Sequence, residues 1–326
     1  MNVEQLKDWT PIRIYWRDAR PFVDWCCMDA TRFVEPFFDQ TIEKRFSYPF
    51  NLVFRHQTPL EVLGELYQKT RGLPLKGLIF HMSRCGSTLV SQMLASLERN
   101  VVVSEAGPID MALRSNFYDP SITEEMRVRW LRWVVAALGQ RRNNAEETLF
   151  IKTDCWHMIY LPLIERAFPG VPWVFVYRNP VEVMVSHRRR RGGQVIQGVL
   201  QPEIFGMNFS EAAHMSPDEY CERVLAGICE AALKFSDNEN ALLINYNQLP
   251  EAVSGEIASH FQLKFDDGER DRMSSASRMD AKNSVMTFED DSVEKQRAAT
   301  DEVWRLAEQL LEPLYERLEA KRRRQR

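Results

Sequence analysis

The sequence lacks long apolar runs and lacks an excess of basic residues. Nowhere do about 18 apolar residues follow one another, and the first residues, Met1-Asn-Val-Glu, lack the basic and apolar regions of a secretory leader. Lysine and arginine together number 42 against 46 aspartates and glutamates, a net charge of −4. We therefore expect a soluble, cytoplasmic protein with neither a membrane nor a nucleic acid as partner.

Cysteine is present but not in the patterns that bind metals or form disulfide frameworks. The six cysteines contain no CxxC pair and no metal-ligand spacing. Reduced thiols and the absence of a resident metal ion are therefore expected. These residues are Cys26, Cys27, Cys85, Cys155, Cys221 and Cys229.

The 326 residues, 44% of them hydrophobic, are enough to bury a large core. Residues 1–74 are rich in aromatic residues and interrupted by prolines, which predicts short helices and loops packed as an N-terminal extension on a larger core. Residues 75–326 are predicted to form that core domain.

Five apolar or β-branched segments alternate with helical patterns from residue 78 onward. This alternation predicts a three-layer α/β/α domain with a central parallel sheet of about five strands, followed by a C-terminal helix over about 292–319. Residues 194–216 have no clear period and are predicted to form a lid over an acceptor. The five segments are 78–80, 101–105, 148–154, 171–177 and 241–246.

The most informative stretch joins the first of these strands to a helix. The predicted strand Leu78-Ile-Phe is followed by a loop, residues 83–88, in which most side chains are small. After this loop, apolar residues recur at helical spacing. Such a loop opens onto a helix N-terminus, where backbone N–H groups and the helix dipole favour an anion. Ser87 and Thr88 add hydroxyl donors, so the loop is predicted to bind phosphate.

The loop lacks the lysine of a nucleoside-triphosphate loop. When Gly86 and Thr88 are aligned with the pattern GxxxxGK[ST], His81 replaces the first glycine and Ser87 replaces the lysine. The cation is instead Arg84, inside the loop. Ser83-Arg84-Cys85-Gly86-Ser87-Thr88 resembles the 5′-phosphosulfate loop of sulfotransferases, PKSGTT or PRSGTT.

A second motif lies at the end of the fourth predicted strand. Arg178 ends that strand and Ser186 follows eight residues later on the next helix, where a guanidinium fork and a hydroxyl can converge on one phosphate. Tyr177-Arg-Asn-Pro-Val-Glu-Val-Met-Val-Ser186 resembles the 3′-phosphate motif YRNPxDxxxS of sulfotransferases. The two motifs together identify the chain as similar to the P-loop sulfotransferase superfamily, in particular to bacterial-type members with small-molecule acceptors.

This resemblance implies a co-substrate, 3′-phosphoadenosine 5′-phosphosulfate (PAPS), held by Arg84, Cys85, Gly86, Ser87, Thr88, Arg178 and Ser186 without a metal. It also implies weaker correspondences. Tyr246 corresponds to a tyrosine near the nucleotide, and Arg278 and Lys282 correspond to a basic segment over the 3′-phosphate. The tryptophan that stacks on adenine in cytosolic relatives is Leu89 in this chain.

Four residues are candidates for the chemical step. The resemblance suggests Glu105 as the base, because some relatives carry a catalytic glutamate at that strand end. Asp154 stands where the Lys-Thr-His pattern has histidine, and His157 is the third alternative. Lys152 or Arg84 would offset charge on the leaving oxygen.

The sequence therefore predicts sulfuryl transfer from PAPS to a hydroxyl or amine of a small molecule, with release of 3′-phosphoadenosine 5′-phosphate (PAP). Two alternatives stay open: a P-loop kinase that uses ATP and Mg²⁺, and a PAP(S)-binding regulatory protein without turnover. A homodimer is as compatible with the sequence as a monomer.

Overall fold

The computed structural model describes residues 3–280, 283–287 and 291–325. Within these ranges the strands are β1 Trp9–Arg17, β2 Arg20–Cys27, β3 His56–Pro59, β4 Leu75–His81, β5 Asn100–Ser104, β6 Thr148–Lys152, β7 Trp173–Tyr177, β8 Ala241–Asn245, β9 Met279–Asp280 and β10 Asn283–Thr287.

The helices of the same ranges are mostly short, and none of them is long and apolar enough to cross a bilayer. They are α1 Phe38–Phe46, α2 Pro49–Val53, α3 Glu61–Lys69, α4 Ser87–Ala95, α5 Gly107–Leu113, α6 Glu124–Leu138, α7 Leu161–Ala167, α8 Pro180–Arg189, α9 Phe209–His214, α10 Pro217–Phe235, α11 Ala258–His260, α12 Asp267–Ser277, α13 Ser292–Ala298, α14 Asp301–Leu306 and α15 Glu312–Arg324.

A five-stranded parallel sheet flanked by helices is the centre of the fold, as the sequence predicts. Its strand order is β5-β6-β4-β7-β8. The β5–β6 and β7–β8 pairs are in regular parallel register, for example Ser104 beside Lys152 and Tyr177 beside Asn245. All residues of β5 and β7 are buried, which explains why these strands read as continuous apolar runs rather than alternating ones.

The chain divides into two compact units, and each of them consists of three separate segments of the sequence. The first comprises Met1–Leu78, Ser91–Val171 and Asp267–Ala276. The second comprises Ile79–Val90, Pro172–Asp266 and Ser277–Arg326. The expected boundary between an extension and a core domain at residue 74 stays a prediction.

The first unit contains an antiparallel sheet that the sequence analysis did not predict. Strands β1, β2 and β3 pair in that order, so the expectation of only short helices and loops in residues 1–74 was wrong. A two-residue turn, Asp18-Ala19, joins β1 to β2, and both of its residues are left-handed, with φ of 50° and 58°. Strand β1 packs against α5 and α6.

In the second unit, α15 packs against both α10 and β8. Glu319 of α15 accepts hydrogen bonds from Tyr177 of β7 at 2.5 Å and from Asn245 of β8 at 2.8 Å. The expected C-terminal helix is broken after Ala298, where Thr300 caps α14, and a π-helical turn, Ala307–Leu311, precedes α15.

The segment 194–216 also lies in this unit and has more local structure than its sequence suggests. It forms two single turns of 3₁₀-helix and the short helix α9. Its apolar residues Val195, Leu200, Phe205 and Met207 are buried. The function of a lid remains a prediction.

Candidate functional site

The loop between β4 and α4 has an unusual backbone. Ser83, Arg84 and Gly86 have φ values of 85°, 51° and 87°. Side-chain-bearing residues rarely adopt this left-handed region, because each such residue costs about 1–2 kcal/mol. Backbone of this kind can turn successive N–H groups toward one point and so form a concave anion site. The strain is therefore consistent with the predicted phosphate loop.

Buried hydrogen bonds fix the loop from several sides. The Ser83 N–H donates to Nδ1 of His81 at 3.1 Å, and the Ser83 hydroxyl accepts from Nε2 of Gln194 at 2.9 Å. The Cys85 thiol donates to the Val176 carbonyl at 3.0 Å. Cys85 therefore holds the loop to β7 through its side chain.

The polar side chains predicted to bind the 5′ end lie along the loop and the first turn of α4. Ser87 and Thr88 are buried at the helix start. Arg84 is half-buried, and its Nη2 donates to the Arg190 carbonyl at 2.8 Å. The Arg84 guanidinium is thus held next to the C-terminal end of α8, within the same unit.

Gly86 lies where no side chain fits. A Cβ atom at this position would be 2.8 Å from Cδ1 of Leu249 and 2.8 Å from Cδ2 of Tyr246. The loop backbone is therefore in direct contact with the turn that follows β8.

Replacing Gly86 by alanine should destabilise the protein by about 1–2 kcal/mol from the left-handed backbone alone, with steric strain added. The free energy of unfolding in urea measures this effect. Gly255→Ala is the matched control, because its Cβ would meet nothing within 4 Å. Equal stability of Gly86→Ala and wild type would show that the loop relaxes without cost.

Arg178 is buried at the end of β7, with only 4% of its surface exposed. Its Nε–H donates to Glu182, and its Nη2 donates to Asp291 at 2.7 Å and to Ser292 at 3.1 Å. Its guanidinium carbon lies 3.9 Å from the centre of the Tyr246 ring. The side chain is thus held as a flat fork with one face on an aromatic ring.

The Tyr246 ring connects the two predicted phosphate sites. It borders Gly86 of the loop and also stacks on Arg178. These contacts all lie within the second unit. The two sites that the resemblance assigns to opposite ends of one nucleotide therefore share a single aromatic side chain.

The other predicted nucleotide ligands are placed less directly. The Ser186 hydroxyl donates to the Glu182 carbonyl at 2.8 Å. Arg278 is exposed between α12 and β9. Lys282 lies outside the described residues. The assignment of Arg278 to the 3′-phosphate stays a prediction.

The predicted catalytic residues gather in the first unit. Lys152, fully buried at the end of β6, forms an ion pair with Glu105, whose side chain is 25% exposed. Its ammonium nitrogen also lies 5.1 Å from the centre of the Phe37 ring. Glu105 follows β5 in a left-handed conformation with φ of 55°, and its N–H donates to the Lys152 carbonyl at 2.7 Å.

Asp154 and His157 belong to the same cluster through Asp110. Nε2 of His157 lies 3.0 Å from Oδ1 of Asp110 and 3.7 Å from Oδ2 of Asp154. Asp110 also pairs with Arg114 at 2.8 Å and accepts from Trp156 at 2.7 Å. The structure therefore brings Glu105, Lys152, Asp154 and His157 together.

The surroundings shift the pKa values of the two carboxyl groups, Asp154 and Asp110, in opposite directions. Burial raises the pKa of Asp154 well above its ordinary value, and the negative charges of Glu105 and Asp110 raise it further. Burial also acts to raise the pKa of Asp110, but hydrogen bonds from His157 and Trp156 and the charges of His157 and Arg114 outweigh it and lower the pKa. Asp110 is thus the ionised partner and Asp154 the more basic one.

The cluster offers one group that could hold a metal ion. Ligand atoms of Asp110, Asp154 and His157 all lie within 4.8 Å of one another. However, the Arg114 cation and the Trp156 N–H already bind the Asp110 carboxylate. These contacts fit a hydrogen-bonded cluster better than a divalent cation site.

Asp154→Asn should change the pH dependence of stability. The pKa of Asp154 is raised in the folded state, so the wild-type protein loses stability as the pH rises and this carboxyl group ionises. Asparagine does not ionise, so the variant does not lose this stability. We expect the variant to gain stability relative to wild type as the pH rises above about 4, the ordinary pKa of an aspartate, measured by urea unfolding at each pH. A difference in stability that does not vary with pH would contradict the raised pKa.

Several residues of both sites were not predicted from sequence. Asp110 precedes Arg114 by one helical turn, a spacing that indicates an ion pair, but nothing local ties it to His157. No sequence pattern pointed to Phe37 or Gln194 as site residues, because each contacts its site from a distant part of the sequence.

No family model and no curated protein matches the chain. Among solved structures, the chain is similar to the sulfotransferase domain from the curacin biosynthetic pathway, with 16% identity, 73% of this chain and 98% of that chain covered, and a TM-score of 0.41. It is similar to the sulfotransferase domain of the Synechococcus PCC 7002 olefin synthase, with 17% identity, coverage of 74% and 95%, and a TM-score of 0.42. It is also similar to a sulfotransferase from Alicyclobacillus acidocaldarius, with 16% identity, coverage of 76% and 96%, and a TM-score of 0.42.

Proposed function

We propose that this protein is a PAPS-dependent sulfotransferase that transfers a sulfuryl group to a hydroxyl or amine of a small molecule. The observation that carries the proposal is the Tyr246 ring, which touches both the strained loop at Gly86 and the guanidinium of Arg178. A nucleotide with phosphates on the 5′ and 3′ positions of one ribose needs two anion sites that are close neighbours, and a shared aromatic contact supports that arrangement.

The donor would be bound by charge and by backbone dipoles. The loop and the first turn of α4 suit the 5′-phosphosulfate, with Arg84 as the cation. Arg178 suits the 3′-phosphate, because a planar guanidinium binds two oxygens of a phosphate at once.

The chemical step is assigned to the Glu105 cluster. The acceptor oxygen or nitrogen forms a bond to sulfur while the bond from sulfur to the 5′-phosphate oxygen breaks, and that oxygen leaves with the electron pair on PAP. The acceptor proton goes to a protein base. A fixed cation near the leaving oxygen would stabilise its developing charge, and Lys152 and Arg84 are the two candidates.

Glu105 is the first choice for the base. Its side chain is partly exposed, whereas Lys152 beside it is fully buried, so the carboxylate is the member of the pair that an acceptor can reach. Asp154 and His157 would then orient the cluster through Asp110. If Glu105 is only the partner of Lys152, the raised pKa of Asp154 makes that residue the next candidate.

The test is transfer of radiolabelled sulfate from PAPS to a panel of small hydroxyl and amine compounds, with EDTA present throughout. Labelled product together with PAP supports the proposal. In a parallel assay with labelled ATP and without EDTA, transfer of phosphate that requires Mg²⁺ would indicate the kinase. Thermal stabilisation by PAP with no transfer to any acceptor would indicate a binding protein without turnover.

A further inference from the structure

The guanidinium of Arg178 is in contact with a carboxylate of the chain itself. Nη2 of Arg178 donates to Oδ1 of Asp291 at 2.7 Å, although 113 residues separate the two in sequence. The same nitrogen lies 3.1 Å from the hydroxyl of Ser292. A carboxylate oxygen and a phosphate oxygen make the same kind of hydrogen bond to a guanidinium group. Oδ1 of Asp291 therefore occupies a position that a phosphate oxygen could take.

A second cation completes this arrangement. Nζ of Lys295, one helical turn further along α13, lies 2.6 Å from Oδ2 of Asp291. The Asp291 carboxylate therefore bridges Arg178 and Lys295, one oxygen to each. Burial acts to raise the pKa of Asp291, but hydrogen bonds from Lys295 and Arg178 outweigh it and lower the pKa, so the group is an anion near neutral pH.

Helix α13 is held to α8 by a further contact at the same place. Nε2 of Gln296 donates to Oε1 of Glu182 at 2.8 Å, and Glu182 in turn accepts from Arg178. The start of α13, Glu182 and the Tyr246 ring all lie against Arg178, which is only 4% exposed. An external phosphate that binds Nη2 of this guanidinium must therefore take the place of the Asp291 carboxylate.

We propose that Asp291 is an internal competitor for the 3′-phosphate of the donor, which binds Arg178 only by displacing this carboxylate. The inference rests on the proposed function, because it names the occupant that the nucleotide replaces. Displacement leaves Lys295 and Ser292 beside the incoming phosphate. Binding of the donor is then linked to a rearrangement of the start of α13.

The energetic consequence follows from linkage. A contact present only in the free protein lowers the apparent affinity for a ligand that must break it. Removing the charge of Asp291 removes that contact while leaving Arg178, Lys295 and Ser292 in place. The variant should therefore bind the nucleotide more tightly, although its free form loses an ion pair.

The experiment compares PAP binding to wild type and Asp291→Asn by isothermal titration calorimetry at low salt. We expect the variant to bind PAP about 10-fold more tightly, equivalent to about 1.4 kcal/mol, while its melting temperature without PAP is equal or lower. Asp291→Ser, which also removes the charge, should shift affinity in the same direction. Glu294→Gln is the matched control, because Glu294 lies on α13 but pairs with Arg189 instead.

The outcomes separate this inference from the proposed function. Equal or weaker PAP binding by both Asp291 variants, with clear binding by wild type, would overturn the competition and leave the donor site intact. Absence of PAP binding by wild type and by both variants would overturn the donor assignment, and the competition with it. An equal gain in Glu294→Gln would show a general charge effect of α13 and would also overturn the proposal.

Discussion

Arg178→Ala is expected to weaken PAP binding by about 2–4 kcal/mol, or roughly 30- to 1000-fold. The reason is that Arg178, whose buried guanidinium stacks on Tyr246, would supply the proposed 3′-phosphate site with a charged fork that water cannot replace. The measurement is isothermal titration calorimetry with PAP. Unchanged affinity would remove Arg178 from the donor site.

Two controls distinguish lost binding from lost structure. Arg178→Ala leaves the buried Glu182 carboxylate without its guanidinium, so its melting temperature must be measured alongside. Arg178→Lys keeps a cation for Glu182 but loses the planar fork, and it should bind PAP with intermediate affinity. Arg223→Ala, a surface arginine of the same unit that pairs with Glu211, should leave PAP binding unchanged.

Glu105→Gln is expected to reduce turnover by about 100- to 10,000-fold, the usual loss when a general base is removed. Its affinity for PAP should stay close to that of wild type, because the base acts on the acceptor proton and not on the nucleotide. The measurement is the initial rate of sulfate transfer from radiolabelled PAPS, with PAP affinity measured in parallel.

The matched control is Glu35→Gln. Glu35 pairs with Lys44, and its side chain is 23% exposed, close to the 25% of Glu105. It therefore reproduces the loss of a glutamate of similar exposure that pairs with a lysine, although Lys44 is 68% exposed and Lys152 is buried. The melting temperature of Glu105→Gln is measured alongside, because this variant leaves a buried lysine without its carboxylate. Full activity of Glu105→Gln would exclude Glu105 as the base and direct attention to Asp154 or His157.

The central sheet was predictable because each of its strands can be recognised from a short, continuous stretch of apolar residues. Strand β7 is buried throughout and β8 is buried at all but one residue. Both therefore appear as short apolar runs, and their predicted bounds agree with the structure to within a few residues. The helices between them follow from amphipathic spacing. The order of the strands within the sheet did not follow from the sequence in the same way, since it depends on contacts between distant segments.

The N-terminal sheet was missed for a specific reason. A two-residue hairpin turn normally carries glycine or asparagine, because both central residues need positive φ. Here the turn is Asp18-Ala19, and Pro11 interrupts β1 near a register shift. The turn therefore lacks the glycine that usually marks a hairpin, and a proline lies inside the first strand. For these two reasons the strands could not be recognised.

The candidate site was predictable only where its residues lie within one motif. The loop 83–88 and the Arg178 segment could be found because their chemistry depends on neighbours in sequence. Asp291 could not be paired with Arg178 in advance, and Phe37 could not be placed over Lys152. In both cases the partner comes from an element more than 100 residues away, and only packing brings it to the site.

The N-terminal segment also contributes residues to the surroundings of Glu105 and Lys152, in addition to the aromatic packing expected of it. The Phe37 ring lies over Lys152. Burial raises the pKa of Asp39, and the negative charges of Glu43 and Glu105 raise it further. Residues at the start of α1 therefore belong to the electrostatic surroundings of the proposed base, and substitutions there should alter turnover through Glu105.

We propose that the loop and Arg178 bind opposite ends of one nucleotide. The most direct test is calorimetry of wild type and Arg178→Ala with two ligands, PAP and AMP, which differ only in the 3′-phosphate. We expect Arg178→Ala to weaken the binding of PAP and to leave the binding of AMP unchanged, so that PAP loses its advantage over AMP. Equal weakening of both ligands would mean that Arg178 does not recognise the 3′-phosphate.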